Sequence, residues 1–357
     1  MTADAVPEPI LARQPRADRL LASLAPFSRI VLVSHINPDP DALGSMLGLK
    51  ALIEHGLPGR SVILTFDGMI ARAENRALVD LIPVPVVPVA SVRIDEATAV
   101  VMVDSQPHTG RRASESAVPR VVIDHHETGG VLTGVDFRDI RPHLGATCTM
   151  ITAYLLERHV AVTPRLATAL LYGIESETSG YPREASALDD GALVWLFPRA
   201  DKDLLARIRN PKLPQSHFAT FQHALANAFL YRDVVMSYCG AVSQPDIIAE
   251  VADFFVRFEK VNWALSIGLF DDMLKLSVRV SQLGGHSGEV LRVVVDGMGT
   301  AGGHDKRAGG AIPLTDTSAE AIDAILRTVR RRLLAELGIP EESGHRLLEA
   351  SPVIDAP

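Results

Sequence analysis

The sequence predicts an α/β protein: a parallel-sheet domain with helices on both faces, followed across a cleft by a smaller α+β domain. Three observations carry this. Short continuous apolar runs alternate with helix-spaced segments along the first part of the chain, the mark of strands buried on both faces and joined by crossover helices. The hydrophobic pattern changes character after a turn-rich stretch with two prolines, RNPKLPQS at 209–216. A chain of 357 residues also exceeds what one ordinary core serves. The expected division is a sheet domain at 16–208, a linker and connecting helix at 209–232, a second domain at 233–340 and a C-terminal tail at 341–357.

The elements follow in order. A short helix is expected at 16–24, then a buried strand in RIVLVSH. In DALGSMLGLKALIEHG, Leu43, Met46, Leu47, Ala51 and Ile53 recur at helical spacing and Gly56 is a stop. RSVILTF (60–66) is a second strand, 73–81 a helix, and ATAVVMVD (97–104) and RVVID (120–124) are further strands. Three helical segments come next: ATCTMITAYLLERH, PRLATALLYGIES and ASALDDGALVWLF. Beyond the break, HFATFQHALANAFLYRD reads as the connecting helix. VVMSYCGAV, NWALSIGLF and LKLSVRVS read as strands around a helix within 246–259. A Gly-rich stretch and a last helix at 318–336 complete the second domain.

A formal net charge of −8 argues against coating of long nucleic acid, which needs an extended basic face. The run Arg330, Arg331, Arg332 on the last helix reads as a solvated face. Cys148 and Cys239 are far apart and in no CxxC pair, so neither a disulfide framework nor a thiolate zinc site is expected. The N-terminus lacks a signal-peptide core, and no apolar run approaches the ~20 residues of a bilayer span. The expectation is a soluble protein of the reducing cytosol with no membrane partner.

The chemistry gathers at strand ends. SHINPDPDALGS holds His35, Asp39 and Asp41 just beyond the first strand. Asp104 closes AVVMVD, and VIDHHE places Asp124, His125 and His126 at the end of the next strand. YGIESETSGY sets Glu175 and Glu177 at a helix end. Open parallel sheets bind ligands beyond the carboxyl ends of their strands, where side chains from several loops converge. Carboxylates crowded there repel one another unless a cation neutralises them. A mixed imidazole and carboxylate set suits Mn²⁺, with Mg²⁺, Co²⁺, Fe²⁺ or Zn²⁺ as alternatives, and the number of ligands suggests two ions. Singly, each signal has a bland reading: a strand-end aspartate is usually a helix cap, as Asp41 before ALGSML could be, and a lone histidine is usually a satisfied core residue.

Together these motifs resemble the DHH phosphoesterase superfamily, in the branch with a DHH-associated C-terminal domain. HINPDPDALGS, the Asp104 strand end and DHH match in order, and AGGHDKRAGG (301–310) resembles the GGGH signature of the second domain. The resemblance covers residues 16–337 and makes 16–208 the DHH catalytic domain and 233–340 the substrate-binding one. It implies that His35 and Asp39 hold one Mn²⁺ and Asp41 and His125 the other, with Asp104 bridging. Asp124 would orient the neighbouring imidazole, and His126 would face the phosphate or leaving oxygen. Where the family has Asp in its GI-x-(T/S)-D-T motif this chain has Glu177, so the second ion would be held more weakly or shifted; Glu175 is the lesser candidate.

In the second domain Gly302 and Gly303 would let backbone N–H groups approach an anion, His304 would donate to a phosphate or base edge, and Arg279 would offer a forked phosphate donor. LGGHSGE (283–289), with His286, is expected as a surface loop of similar composition, and Cys148 as a packed small residue.

The function implied is metal-dependent hydrolysis of short oligoribonucleotides or 3′-phosphoadenosine 5′-phosphate (pAp) to mononucleotides. A cyclic or linear dinucleotide phosphodiesterase is the alternative. A nucleotide-binding regulatory protein, impaired by Glu177, is the reading from another class. A RecJ-like exonuclease is disfavoured because the chain ends soon after the last helix, and a related pyrophosphatase by AGGHDKRAGG. The expected partners are the short nucleotide substrate and, in assembly, a second copy as a homodimer.

Overall fold

The computed structural model describes residues 16–107, 118–127, 130–178, 185–282, 284–303 and 305–348. The chain divides into two compact units, the first ending at Pro211 and the second beginning at Lys212.

The first unit is built on six parallel strands: β1 (Arg29–Val33), β2 (Ser61–Phe66), β3 (Val86–Pro88), β4 (Thr98–Val103), β5 (Val121–Asp124) and β6 (Phe137–Ile140). Their order, β3-β2-β1-β4-β5-β6, makes β1 and β4 neighbours from which the chain winds outward in opposite directions. Loops leaving these two strands diverge and open a crevice at their carboxyl ends. The central strands read as continuous apolar runs because both faces are covered: Ile30 and Leu32 face one core cluster, Val31 and Val33 the other.

Among the described residues its seven α-helices are α1 (Arg16–Leu24), α2 (Pro40–Gly56), α3 (Ala73–Leu81), α4 (Thr147–Glu157), α5 (Pro164–Thr178), α6 (Ala187–Leu196) and α7 (Lys202–Arg209). The α/β class is as expected, but the covering differs from the expected helices on both faces. Among the described residues, all seven helices contribute buried side chains to the cluster on the Ile30 face. Val31, Val33, Val100, Met102 and Val122 are covered instead by Leu132 and by half-buried Val89, Val92 and Ile94.

Strand β6 and helix α7 have no counterpart in the sequence reading. FRDI carries two charges in four residues, as an edge strand can, and α7 falls inside a segment whose apolar stripe is only Leu205 and Ile208.

The second unit holds a seven-stranded mixed sheet of order β11-β12-β10-β9-β8-β7-β13. Its strands are β7 (Phe229–Tyr231), β8 (Val234–Ala241), β9 (Trp263–Phe270), β10 (Met273–Val280), β11 (Thr300–Gly303), β12 (Arg307–Pro313) and β13 (Gly344–Arg346). Only β8 and β9 pair in parallel. Helices α8 (Gln215–Ala226) and α9 (Asp246–Phe255) cover one face through Ala224, Ile248, Val251 and Phe255; α10 (Ser287–Val295) and α11 (Ala319–Glu336) cover the other through Leu291, Val294, Val329 and Leu333.

The stretch expected as linker and connecting helix is therefore built into this unit, with Ala224 of α8 in the core and β7 inside the sheet. The Gly-rich stretch is the strand pair β11–β12, preceded by α10, whose VLRVVV segment has the β-branched composition of a strand but the burial spacing of a helix. Both cysteines are buried and free. No described helix is long and apolar enough to cross a membrane.

Candidate metal centre

The site lies at the carboxyl ends of β1, β4 and β5. Beyond β1 the chain turns through Asn37, whose φ of 60° is left-handed, and enters α2. The expected helix cap exists, but on Asp39: its Oδ1 accepts from Ala42 N–H at 3.0 Å, ahead of Pro40 in the first turn. That leaves Oδ2 free to face His35. Asp41 sits inside the first turn and is fully buried.

Both of its oxygens meet backbone donors, Thr147 N–H and Cys148 N–H at 2.7 Å each, so the N-terminus of α4 cradles this carboxylate. The anion at the Cys148 helix end is thus the chain's own Asp41. Close approach of the helices makes this reachable. A Cβ on Gly173 of α5 would lie 2.5 Å from Cys148 Sγ and 3.0 Å from Pro40 O.

Asp104 follows β4 in the left-handed region, φ 56°, and is 2% exposed. This conformation swings its side chain off the strand direction, and its two oxygens part company. Oδ2 lies 3.4 Å from His35 Nε2, itself 3.6 Å from Asp39 Oδ2. Oδ1 lies 3.6 Å from His125 Nε2, itself 3.9 Å from Asp41 Oδ2. Thr147 Oγ1 donates to the same Oδ1 at 2.9 Å.

The two histidines are set alike. Nδ1 of His35 is 3.0 Å from Ile36 O and Nδ1 of His125 is 3.1 Å from Leu144 O, so each ring donates there and turns Nε2, the atom a metal would take in place of a proton, toward the carboxylates. His125 Nε2 is buried with no hydrogen-bond partner. Separations of 3.4 to 3.9 Å are too long for hydrogen bonds. They suit pairs of donors each about 2.1 Å from one divalent ion.

His126 differs. Asp124 Oδ1 accepts from its Nδ1 at 2.8 Å and from its N–H at 3.1 Å, which holds the ring 4.3 Å from that of His125 with Nε2 outward. Gln106 Nε2 donates to the carbonyls of His126 and Glu127 and steadies the turn.

The electrostatics express a shortage of positive charge. Burial first, then the neighbouring Asp104, push the Asp41 carboxyl well above its usual range. Burial alone would depress the imidazoles, yet Asp39 and Asp104 hold His35 well above its ordinary value, and Asp104, Asp41 and Glu177 raise His125 to about 9. Protons serve as counter-ions that a metal would replace. Two sets of donors sharing Asp104, one with His35 and Asp39 and the other with His125 and His126, therefore fit a pair of divalent ions, and the ligand chemistry admits Mn²⁺ and its harder and softer neighbours alike.

Glu177, near the end of α5, reaches this field at both Asp41 and His125. Glu175 is tied to the guanidinium of Arg209. Thr147 and Asp189 escaped the sequence reading. Asp189, fully buried at the start of α6, accepts from Gly145 N–H at 2.8 Å, from Thr149 Oγ1 and from Ser186, and so fixes the residues whose amides hold Asp41. Asp189→Asn turns an NH₂ toward these donors; unfolding in urea is expected to show a loss of about 2–4 kcal/mol.

In the second unit the substrate residues are less simply placed. The Arg279 guanidinium, expected as a phosphate donor, is held by Asp253, by Ser277 Oγ at 2.9 Å and by Val278 O at 3.0 Å. Gly302 and Gly303 are on strand β11 rather than in a loop; Gly302 faces open space, whereas a Cβ on Gly303 would strike Arg307 O at 2.4 Å. His304 lies outside the described residues. The LGGHSGE stretch is a largely exposed turn at 284–286 that runs directly into α10. His286 is the N-cap of α10 with φ 49°, and Asp305 accepts from the N–H groups of Gly284 and His286 at 2.7 and 2.8 Å.

Residues 29–174 match the DHH family, N-terminal domain. An uncharacterized protein of Methanocaldococcus jannaschii is 30% identical over 88% of this chain, which spans 65% of that relative's length. A probable bifunctional oligoribonuclease and PAP phosphatase of Streptococcus mutans serotype c is 24% identical over 62% of this chain and 67% of its own. Among solved structures, an exopolyphosphatase-related protein from Bacteroides fragilis superposes with a TM-score of 0.70 over 90% of this chain and 97% of that one, at 16% identity, a likeness of fold.

Proposed function

We propose that this chain, whose residues 29–174 are a DHH family N-terminal domain, is a two-metal phosphoesterase that hydrolyses short oligoribonucleotides, pAp or both to mononucleotides. One observation carries the reading: Asp104 turns one oxygen to the His35 and Asp39 side and the other to the His125 side, as a carboxylate shared by two ions must. His35, Asp39 and Asp104 would hold one ion, and Asp104, His125, Asp41 and Glu177 the other. Divalent ions so held supply Lewis-acid polarisation of a phosphoryl group and acidify a water.

The chain's own residues do the rest. The α4 amides on Asp41 and the Thr147 hydroxyl on Asp104 fix carboxylate orientation before substrate arrives. Asp124 accepts from Nδ1 of His126, which leaves Nε2 as the atom that meets the leaving oxygen and can give it a proton. The Streptococcus mutans relative, by its description, supports short RNA and pAp as the substrate class.

The test is a panel of 5′-labelled RNA dinucleotide, pAp, and linear and cyclic dinucleotides, each with Mn²⁺ and after chelation. Turnover of the first two with Mn²⁺ and none after chelation is expected. Turnover confined to cyclic dinucleotides favours the alternative phosphodiesterase. Tight binding without turnover in Mn²⁺, Mg²⁺, Co²⁺, Fe²⁺ or Zn²⁺ defeats the enzyme reading and favours a regulatory binder in which Glu177 has displaced the second ion.

A further inference from the structure

We infer that a pocket between α1 and β6 is a second anion site, built to take a phosphate-bearing ligand. The pocket has a volume of about 730 Å³ and is lined by Arg16, Arg19, Arg138, Arg141 and His143 around a single carboxylate, Asp139. None of the residues of the candidate metal centre lines it. It nevertheless adjoins that centre through one short segment: Arg141 N–H donates to Asp124 O at 2.9 Å, and Leu144 O meets His125 Nδ1.

The floor is preorganised. Asp139 is 5% exposed and grips Arg141 through two parallel bonds of 2.9 and 2.6 Å, while also accepting from Arg16 and from the Tyr154 hydroxyl. A guanidinium held this way keeps its remaining N–H donors aimed in a fixed plane, the geometry that matches phosphate oxygens. This network, taken alone, could simply staple α1 and α4 to an edge strand. It does not account for Arg138, nor for the charge of Arg19, whose guanidinium lies over the Phe137 ring 6.0 Å from its centroid. Both are exposed, both face the same cavity, and neither has a carboxylate partner among the described residues; Asp18, beside Arg19 in sequence, is paired with Arg158.

Four guanidiniums around one carboxylate is a strong local excess of positive charge in a chain of net charge −8. Such crowding is unfavourable until an anion enters. The volume exceeds what a single inorganic phosphate fills and falls in the range of small-molecule sites. Val131, Leu132 and Phe137 add an apolar wall. The ligand is therefore one with more than one phosphate, either a free polyphosphate group or the backbone of a short RNA strand.

The experiment uses the full chain carrying Asp104→Asn and freed of divalent ions by dialysis, so that it reads binding alone and does not depend on phosphoesterase activity. Inorganic pyrophosphate and a 5′-phosphorylated RNA trinucleotide are titrated calorimetrically, with and without Arg19→Ala and Arg138→Ala together. Both arginines are exposed, so an unchanged thermal midpoint is expected and is the check that the fold persists. The arginine pair is expected to be worth about tenfold or more in affinity for at least one probe, and to flatten the salt dependence of RNA binding by about one to two contacts. Loss with both probes assigns the site to free polyphosphate, and loss with RNA alone assigns it to the strand backbone. Equal binding with and without the two arginines, or no binding of either probe to the Asp104→Asn chain, overturns the inference.

Discussion

Asp104→Asn is expected to lower Mn²⁺-dependent turnover at least about 10³-fold while leaving the fold intact. Asparagine is the informative substitution because residue 104 sits at φ 56°, a conformation that Asn and Asp accept and Ala resists. The backbone bond from Asp104 N–H to Ile123 O at 2.9 Å is kept, as is an oxygen able to accept from Thr147. What is lost is the negative charge together with the second oxygen, and with them the carboxylate shared by the His35 and His125 sides. Removing buried negative charge relieves the repulsion that lifts Asp41 but also withdraws the attraction that holds protons on His35 and His125, so the two effects on thermal stability of the ion-free chain oppose one another. Calorimetric titration with Mn²⁺ then separates two accounts. Stoichiometry falling from two ions to one or none supports sharing by Asp104; two ions bound with full turnover would falsify it.

The central strands were legible because parallel-sheet strands are apolar on both faces, and the candidate ligands stood out because acids and imidazoles gather at three strand ends. What escaped was set by contacts distant in sequence. Asp39 and Asp41 are equally good caps on paper; only the placement of α4, whose amides claim Asp41, gives the cap to Asp39. Thr147 lies 43 residues from the Asp104 it orients, and no local pattern links them. Arg279 reads as a phosphate donor until Asp253, 26 residues earlier, is found against it. In α10 the local signal misleads: VLRVVV favours a strand by side-chain shape, but packing of Leu291, Val294 and Val295 against the sheet requires helical spacing. The basic pocket has the same origin, since Arg16 and Arg19 on the first helix meet Arg138 on an edge strand that composition hides and Arg141 just beyond it.

Mn²⁺ affinity is expected to climb steeply with pH and to do so by expelling protons from the two histidines. His35 is held well above its ordinary value of 6.5 and His125 at about 9, so in the ion-free chain both carry protons at neutral pH. The sign for stability follows. A raised imidazole pKa stabilises the ion-free fold fully below about 6.5, and this contribution is lost as pH rises through about 9. Ion binding runs the other way, because a metal takes only a neutral imidazole. Across that window affinity should rise about tenfold per pH unit for each proton displaced, and level off above it. Calorimetry in two buffers of different ionisation enthalpy counts the protons, and the thermal midpoint of the chelated protein should fall over the same range in which Mn²⁺ raises it most. His126→Gln sharpens the test. Its Nδ1 is already committed to Asp124, so the proton count should not change; a drop would make His126 a ligand and move the second ion away from Asp41. A pH-independent affinity with no proton release would mean that His35 and His125 do not bind the ions at all.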